Sequence, residues 1–338
     1  MPEGHTVHRL ADAFTAIFGG HRVAVSSPQG RFRAGAQVID GRVVAPAEAV
    51  GKQMFVPFDV VVPGAGSGDV REPTGDERRW LRVHLGLYGA WTFASDGSHD
   101  VVHAIGAPRK RVSETETVLP SAGAAPSGVR APAFPPEPRG QVRVRVLSEH
   151  AAADLTGPTA CEVLTTAEKE AVVARLGPDP LRADADPERF VAAVGRARTP
   201  VATLLMDQGV LAGVGNIYRA EALFRARLDP MAPGRALPAE VVRSLWSDLV
   251  ALMQDGVRTG RIVTTRPEDR GDGSPDAGRS RRRGAARQNS DDDPGVVPRE
   301  ESFYVYQRDG LPCRVCGTTV ALRELGGRKL YWCPCCQR

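Results

Sequence analysis

Two Cys-x2-Cys pairs place the tightest limit on what this chain can fold into. Cys313 and Cys316 are followed, after sixteen intervening residues, by Cys333 and Cys336. Thiolates spaced this way can close around one tetrahedral Zn²⁺. Four protein ligands leave no position for water, so the Zn²⁺ is structural and a zinc hydrolase is excluded. Cys335 is a rival to Cys336, but Cys336 restores the two-residue knuckle. Five of the six cysteines fall in the last 26 residues and only Cys161 stands apart, which reads as metal binding rather than disulfides. Residues 299–338 are therefore expected to form a small finger stapled by its metal.

A finger accounts for little of a 338-residue chain, which has room for about two further cores. From Glu3 to Phe18 the apolar positions Val7, Leu10, Phe14, Ile17 and Phe18 recur at helical spacing, with Gly19-Gly20 as a stop. His5 and His8 on this helix read as ordinary, partly exposed histidines. Short β-type runs follow at His21–Ser26, Gln37–Val44, Gln53–Val62, Trp80–Phe93 and Gln141–Leu147. Several short strands behind one helix predict a β-sandwich domain over residues 1–150. Its inserts Pro63–Arg79 and Gly106–Arg139 are rich in Pro, Gly and charge and read as flexible loops.

Residues 151–263 are expected to form a helical domain, with the helical pattern starting at about Thr165. Thr165-x-x-Glu168 is a capping box, and Asp186-Pro187 and Thr199-Pro200 pair a cap residue with proline. A long helix opens at Leu237-Pro238 and is expected to stop at Gly256. Before it, Gln208–Gly215 is a glycine-punctuated turn, and Asn216 is expected to cap a helix that runs through Phe224. Such a turn suits either a phosphate or a plain helix–helix connection. Residues 264–298 hold Arg281-Arg282-Arg283 and Asp291-Asp292-Asp293, with no aliphatic residue beyond alanine from Thr264 to Gly295, and read as a disordered insert.

The chemistry starts at Met1-Pro2-Glu3. Pro2 is small enough for Met1 to be removed, which leaves a secondary amine with an α-amine pKa of about 7.7–8.0. Such an amine can attack a carbonyl-type carbon and form an iminium, with Glu3 moving protons. The same residues also make an ordinary helix start. Lys52 after Gly51, the Leu87-Tyr88 pair between Gly86 and Gly89, and Arg328 in the loop between the cysteine pairs each have two readings. They can serve as phosphate grip, stack wedge and phosphate grip, or as surface, core and surface. A net charge of +4 and a pI near 8.8 suit a polyanion partner. No secretory pattern opens the chain and no apolar run reaches the length of a membrane span, so a cytoplasmic, nucleoid-associated protein is expected.

In combination these segments resemble one family, the formamidopyrimidine-DNA glycosylase/endonuclease VIII repair enzymes. The resemblance is carried by Met1–Thr6, Gly51-Lys52, His84–Gly89 and Leu176–Leu181. It continues through Leu211–Arg219 and Arg308–Cys313 to Tyr331–Gln337. It implies an α+β multidomain fold: an N-terminal β-sandwich with a leading helix, a helix–two-turn–helix domain and a zinc finger, with double-stranded DNA across the cleft between domains. It implies a monomer. It further implies that Pro2 attacks C1′ of a damaged nucleotide, that Glu3 protonates the deoxyribose ring oxygen, and that β,δ-elimination cuts the strand. Lys52, Asn216 and Arg328 would grip phosphates, and Leu87 and Tyr88 would fill the gap left by the flipped base. The opening hexapeptide, Leu87-Tyr88 and Tyr331–Pro334 are closer to the endonuclease VIII branch, which favours oxidised pyrimidines. Gly86 departs from the glutamine that the best-known endonuclease VIII carries in its wedge. The alternatives are a purine-specific glycosylase on the same scaffold and a DNA-binding zinc-finger protein without catalysis.

Overall fold

The structure is a computed structural model, and it describes residues 2–60, 77–98, 104–106, 134–270 and 297–338. Most of the three inserts, and the residue Met1, lie outside the described residues. The chain divides into two compact units. Met1–Pro2 and Thr6–Val173 form the first, and Glu3–His5 and Ala174–Arg338 the second.

The first unit is built on two antiparallel sheets. Its elements are α1 (Gly4–Phe18), β1 (Ala24–Ser26), α2 (Arg33–Ile39), β2 (Val43–Val44), β3 (Glu48–Val50), β4 (Gln53–Asp59) and β5 (Arg79–His84). They continue as β6 (Ala90–Ser95), β7 (Ala104–Gly106), β8 (Val142–Leu147), β9 (Ala151–Thr156), β10 (Ala160–Leu164) and α3 (Thr166–Val173). One sheet runs β1-β8-β9-β6-β7; the other runs β10-β5-β4-β2, with β3 also paired to β4. One core joins both sheets to α1, which contributes Val7, Leu10, Phe14 and Phe18. Strand alternation explains which residues reach it. Leu81 and Val83 of β5 enter the core, while Arg82 and His84 lie on the opposite face. Trp91 is fully buried and meets Phe14 edge-on at 4.6 Å; truncating such a ring typically costs about 3–5 kcal/mol.

Three expectations change here. The Gln37–Val44 strand is instead the end of α2 followed by the two-residue β2, because Ala36 and Ile39 bury on a helical i, i+3 step. Trp80–Phe93 is two strands joined by a turn. The first unit also runs to Val173 and not to residue 150. Ala-rich β9 reads as helix by propensity, yet its paired position between β8 and β6 buries Ala151, Ala152 and Ala153. The Thr165 capping box forms as expected, with the Glu168 amide donating to Thr165 Oγ1 at 3.2 Å and the Thr165 amide to Glu168 at 2.8 Å. It opens α3, a helix of this unit.

The second unit contains α4 (Pro187–Arg196), α5 (Val201–Leu204), α6 (Asn216–Arg225), α7 (Ala239–Thr259) and the hairpin of β11 (Ala321–Leu325) and β12 (Arg328–Trp332). Asp186 caps α4 as expected, accepting the Glu188 amide at 2.9 Å. Helix α5 is capped by Pro200 without a side-chain bond, so Thr199 does not serve. Helix α7 passes through Gly256 and stops at Gly260, which adopts the left-handed φ of 73°. Gly256 is there for space: a Cβ would lie 2.4 Å from the Tyr218 hydroxyl and 3.0 Å from the His5 ring. His5 is accordingly buried, edge-on to Tyr218 at 5.4 Å, and not partly exposed.

Helices and finger share their packing. Leu330 of β12 joins the core of α4, α6 and α7. Ala220 and Phe224 of α6 pack with Tyr304, Val305, Cys313 and Tyr331. Part of the expected disordered insert is also ordered. Thr264 is buried, its amide donates to the Ser302 carbonyl at 2.9 Å, and Pro267–Asp269 form a short 3-10 helix. The reason is Glu221, a fully buried carboxylate on α6. It accepts the amides of Tyr304, Val305 and Tyr306 at 2.7–2.8 Å, and the Thr264 hydroxyl donates to it as well. Burial pushes the Glu221 carboxyl above its ordinary pKa, against the pull of those donors.

Candidate active site and metal centre

The second unit holds Glu3. Its side chain is fully buried and sits on the N-terminus of α6. Oε2 accepts the Gly215 amide at 2.9 Å and the Tyr218 amide at 3.4 Å, and Oε1 accepts the Ile217 amide at 2.8 Å. The first-turn amides of a helix have no intrahelical partner, and the helix field favours an anion there. The glycine-rich turn is therefore an anion cradle, and the anion it holds is a carboxylate of this chain. The turn's glycines make the seat. A Cβ on Gly215 would lie 2.5 Å from Glu3 Cδ, and one on Gly4 would lie 2.8 Å from Gly213 Cα. The Gly4 amide donates to the Gly213 carbonyl at 2.8 Å, which fixes the backbone that carries Glu3. Pro2 immediately precedes it and is buried.

Asn216 does not cap α6. Gly215 is the cap residue, and Asn216 is the first helical residue. Its Nδ2 donates to the Lys329 carbonyl at 3.0 Å, and its Oδ1 accepts from the Arg219 guanidinium, which also donates to the Lys329 carbonyl at 2.9 Å. Lys329 follows Arg328, so these bonds tie Asn216 to the hairpin strand that carries Arg328. Arg328 itself is exposed, just after the left-handed Gly326-Gly327 turn. Arg219 was invisible to sequence reasoning as a site residue. It is buried, and desolvation brings its pKa down to about 10, with Glu3 raising it and Arg328 lowering it.

The first unit holds Lys52, Leu87 and Tyr88. Lys52 lies in the turn between β3 and β4, after Gly51 with φ of 60°. The next residue, Gln53, pairs with His84 across the sheet. Burial, then Lys52, then Arg82 hold the His84 imidazole below its ordinary pKa, so His84 is biased toward the neutral form beside a cation. Nothing in the spacing of the sequence marked His84 as Lys52's neighbour. Leu87 and Tyr88 occupy the turn from β5 to β6, with 44% and 77% of their surface exposed. The alternative in which this pair is core is thereby removed.

The four cysteines converge. One sulfur from each of Cys313, Cys316, Cys333 and Cys336 lies within 4.8 Å of the others. Cys313 and Cys336 are 3.9 Å apart and Cys316 and Cys333 3.4 Å. Zn–S bonds of about 2.3 Å in a tetrahedron place sulfurs roughly 3.8 Å apart, so the set fits one structural Zn²⁺. The Cys336 amide also points at Cys333 Sγ at 3.4 Å. Cys336, and not Cys335, completes the set.

Among the described residues no helix is long and apolar enough to cross a membrane.

Residues 176–267 match the formamidopyrimidine-DNA glycosylase H2TH domain, and residues 310–338 match the zinc finger found in FPG and IleRS. The chain is 40% identical over 337 residues to Endonuclease 8 1 of Mycobacterium tuberculosis, covering 100% of both chains. It is 37% identical over 164 residues to formamidopyrimidine-DNA glycosylase of Thermus thermophilus, covering 48% of this chain and 54% of that one. Among solved structures, the MutM (Fpg) protein of Thermus thermophilus aligns with a TM-score of 0.63 at 22% identity, over 99% of this chain and 98% of that chain. Lactococcus lactis Fpg in complex with abasic-site DNA aligns with a TM-score of 0.63 at 16% identity, over 99% of each. Those two likenesses show the same fold.

Proposed function

This chain belongs to the formamidopyrimidine-DNA glycosylase/endonuclease 8 family of DNA glycosylases, and from that premise we propose that it excises oxidised pyrimidines and cleaves the resulting abasic site. The observation that carries the reading is the seat of Glu3: a buried carboxylate fixed by three backbone amides, directly after Pro2. The full-length match to an endonuclease 8, against half-length matches to formamidopyrimidine-DNA glycosylases, supports the pyrimidine branch.

In the proposed reaction Met1 is removed and the Pro2 nitrogen attacks C1′ of the damaged nucleotide. The C1′–N bond to the base breaks, and protonation completes the base's departure. Glu3, held as a carboxylate by its three amides, takes the proton that the Pro2 nitrogen loses on attack and passes it to the ring oxygen, so that the sugar opens to an iminium on Pro2. The iminium draws electrons from C2′. Loss of a C2′ proton then expels the 3′ phosphate, and a second elimination expels the 5′ phosphate. Lys52, Asn216 and Arg328 bind phosphates around the lesion, and Leu87-Tyr88 enters the stack. Flipping a base out costs a few kcal/mol; clamped phosphates and an inserted wedge offset that cost. The substrate is duplex DNA, acted on by a monomer.

Borohydride reduction during turnover tests the chemistry. A covalent complex with oxidised-pyrimidine and abasic DNA is expected, and it should vanish when the N-terminus is acylated. Undiminished trapping after acylation would remove Pro2 from the mechanism. A cleavage panel that ranks 8-oxoguanine above oxidised pyrimidines would move the chain to the purine branch. Binding without cleavage of any substrate would make it a DNA-binding protein only.

A further inference from the structure

We propose that the short turn Gly157-Pro158-Thr159 is a buttress that positions the Leu87-Tyr88 wedge. The inference rests on the reading above, in which that wedge enters DNA. The topology puts the two turns together. The turn Leu85–Gly89 carries the chain from β5 in one sheet to β6 in the other, and Gly157–Thr159 carries it back from β9 to β10. β5 pairs with β10, with His84 opposite Ala160, and β6 pairs with β9, with Ala90 opposite Thr156. Both turns therefore leave the same end of the same four strands.

Their contact is close and shaped on both sides. The Thr159 amide donates to the His84 carbonyl at 2.9 Å. Gly86 has the left-handed φ of 65°, and a Cβ there would fall 1.8 Å from Thr159 Oγ1. Thr159 thus fills the volume that a side chain at 86 would occupy. Gly157 has φ of 64°, and a Cβ on it would lie 2.9 Å from the Tyr88 carbonyl oxygen. The wedge turn also closes on itself through the Gly89 amide and the Leu85 carbonyl at 2.9 Å, with Leu85 anchored in the core. Leu87 and Tyr88 are then the only residues of the Gly86–Gly89 turn with side chains, held out by glycines on either side. A wedge that enters a base stack is pushed back along its own axis, and a turn of four residues is soft unless something stands behind it. Gly157 and Thr159 stand there. Both are themselves exposed, so replacing them spares the core.

The test compares duplex with single-stranded DNA. A wedge matters only where a base must leave a stacked duplex, whereas the eliminations at an abasic site in a single strand need no wedge. Thr159→Ala empties the notch, and Gly157→Ala pushes on the Tyr88 carbonyl. Each should slow excision from oxidised-pyrimidine duplex on the order of tenfold while leaving single-strand abasic cleavage within about twofold of the parent. Thr159→Val, which keeps the shape, should restore duplex excision. Equal losses on both substrates, or no loss on either, would overturn the buttress. A parent that cleaves neither substrate would sink the proposed activity and this inference with it, whereas a parent active on both with unaffected variants sinks the inference alone.

Discussion

Gly215→Ala should disable Glu3 without touching it. Gly215 has φ of −123°, which alanine adopts freely, so the perturbation is steric and not conformational. The new Cβ would lie 2.5 Å from Glu3 Cδ, 2.7 Å from Oε1 and 2.8 Å from Cγ. Ordinary contact begins near 3.4 Å, so the carboxylate must retreat by about 1 Å. That stretches the 2.9 Å bond from the Gly215 amide and the 2.8 Å bond from the Ile217 amide past hydrogen-bonding range. Hydrogen bonds to a charged group contribute about 1.5–3 kcal/mol each. Two such losses, partly recovered by backbone shift, give an expected destabilisation of about 2–4 kcal/mol. A 1 Å misplacement of a reacting group costs on the order of 10²-fold in rate. Thermal unfolding reads the first quantity, and single-turnover cleavage of oxidised-pyrimidine duplex reads the second. Gly209→Ala is the control from the same turn: its nearest neighbour would be Asp207 Oδ1 at 3.2 Å, so the Asp207 side chain need give only slightly. Parent-like rates for Gly215→Ala, or equal losses for both variants, would refute the argument that the turn exists to seat Glu3.

Three further outcomes are expected. Cys336→Ser should lose the single zinc measured by atomic absorption and Cys335→Ser should retain it; the reverse pattern would overturn the ligand assignment. Glu221→Ala strands the three backbone amides of Tyr304–Tyr306 in a buried site, at about 1–3 kcal/mol each before water enters. The melting point should drop by several degrees, and protease should open the chain near Tyr304 first; an unchanged melting point would refute the staple. The hydrogen bond to Asp96 at 2.7 Å raises the His150 pKa above its ordinary value near 6.5. A raised folded value means that this pair's stabilisation is complete below pH 6.5 and fades as pH climbs through the folded pKa. NMR titration should show the raised value and its return toward 6.5 in Asp96→Asn; a parent titrating at 6.5 would contradict it.

Spacing along the chain was enough for the elements whose cause is local. The α1 stripe of Val7, Leu10 and Phe14, the Thr165–Glu168 capping box, the Asp186 cap and the Cys-x2-Cys knuckles are set by residues within a few positions of one another, and each is legible in the chain alone. Local signals misled where packing overruled propensity. Ala151–Ala153, assigned to the helical domain, became strand because two neighbouring strands bury them. Gly256, read as a stop, became a gap for Tyr218 and His5. Thr264, read as disordered, was drawn in by Glu221.

The sequence by itself determined the family and the metal and nominated the candidate site residues, because each motif is a short run whose chemistry travels with it. Only the tertiary structure decided what holds those residues in place. Glu3 and the Gly215 amide that seats it are 212 positions apart, and Asn216 meets the Lys329 carbonyl 113 positions away. His84 meets the field of Lys52 through strand pairing, and the turn that carries Leu87-Tyr88 meets Thr159 because two turns leave the same strands. A glycine in a sequence says that a Cβ is missing. The atom that takes its room belongs to a distant part of the chain, and no local pattern records it.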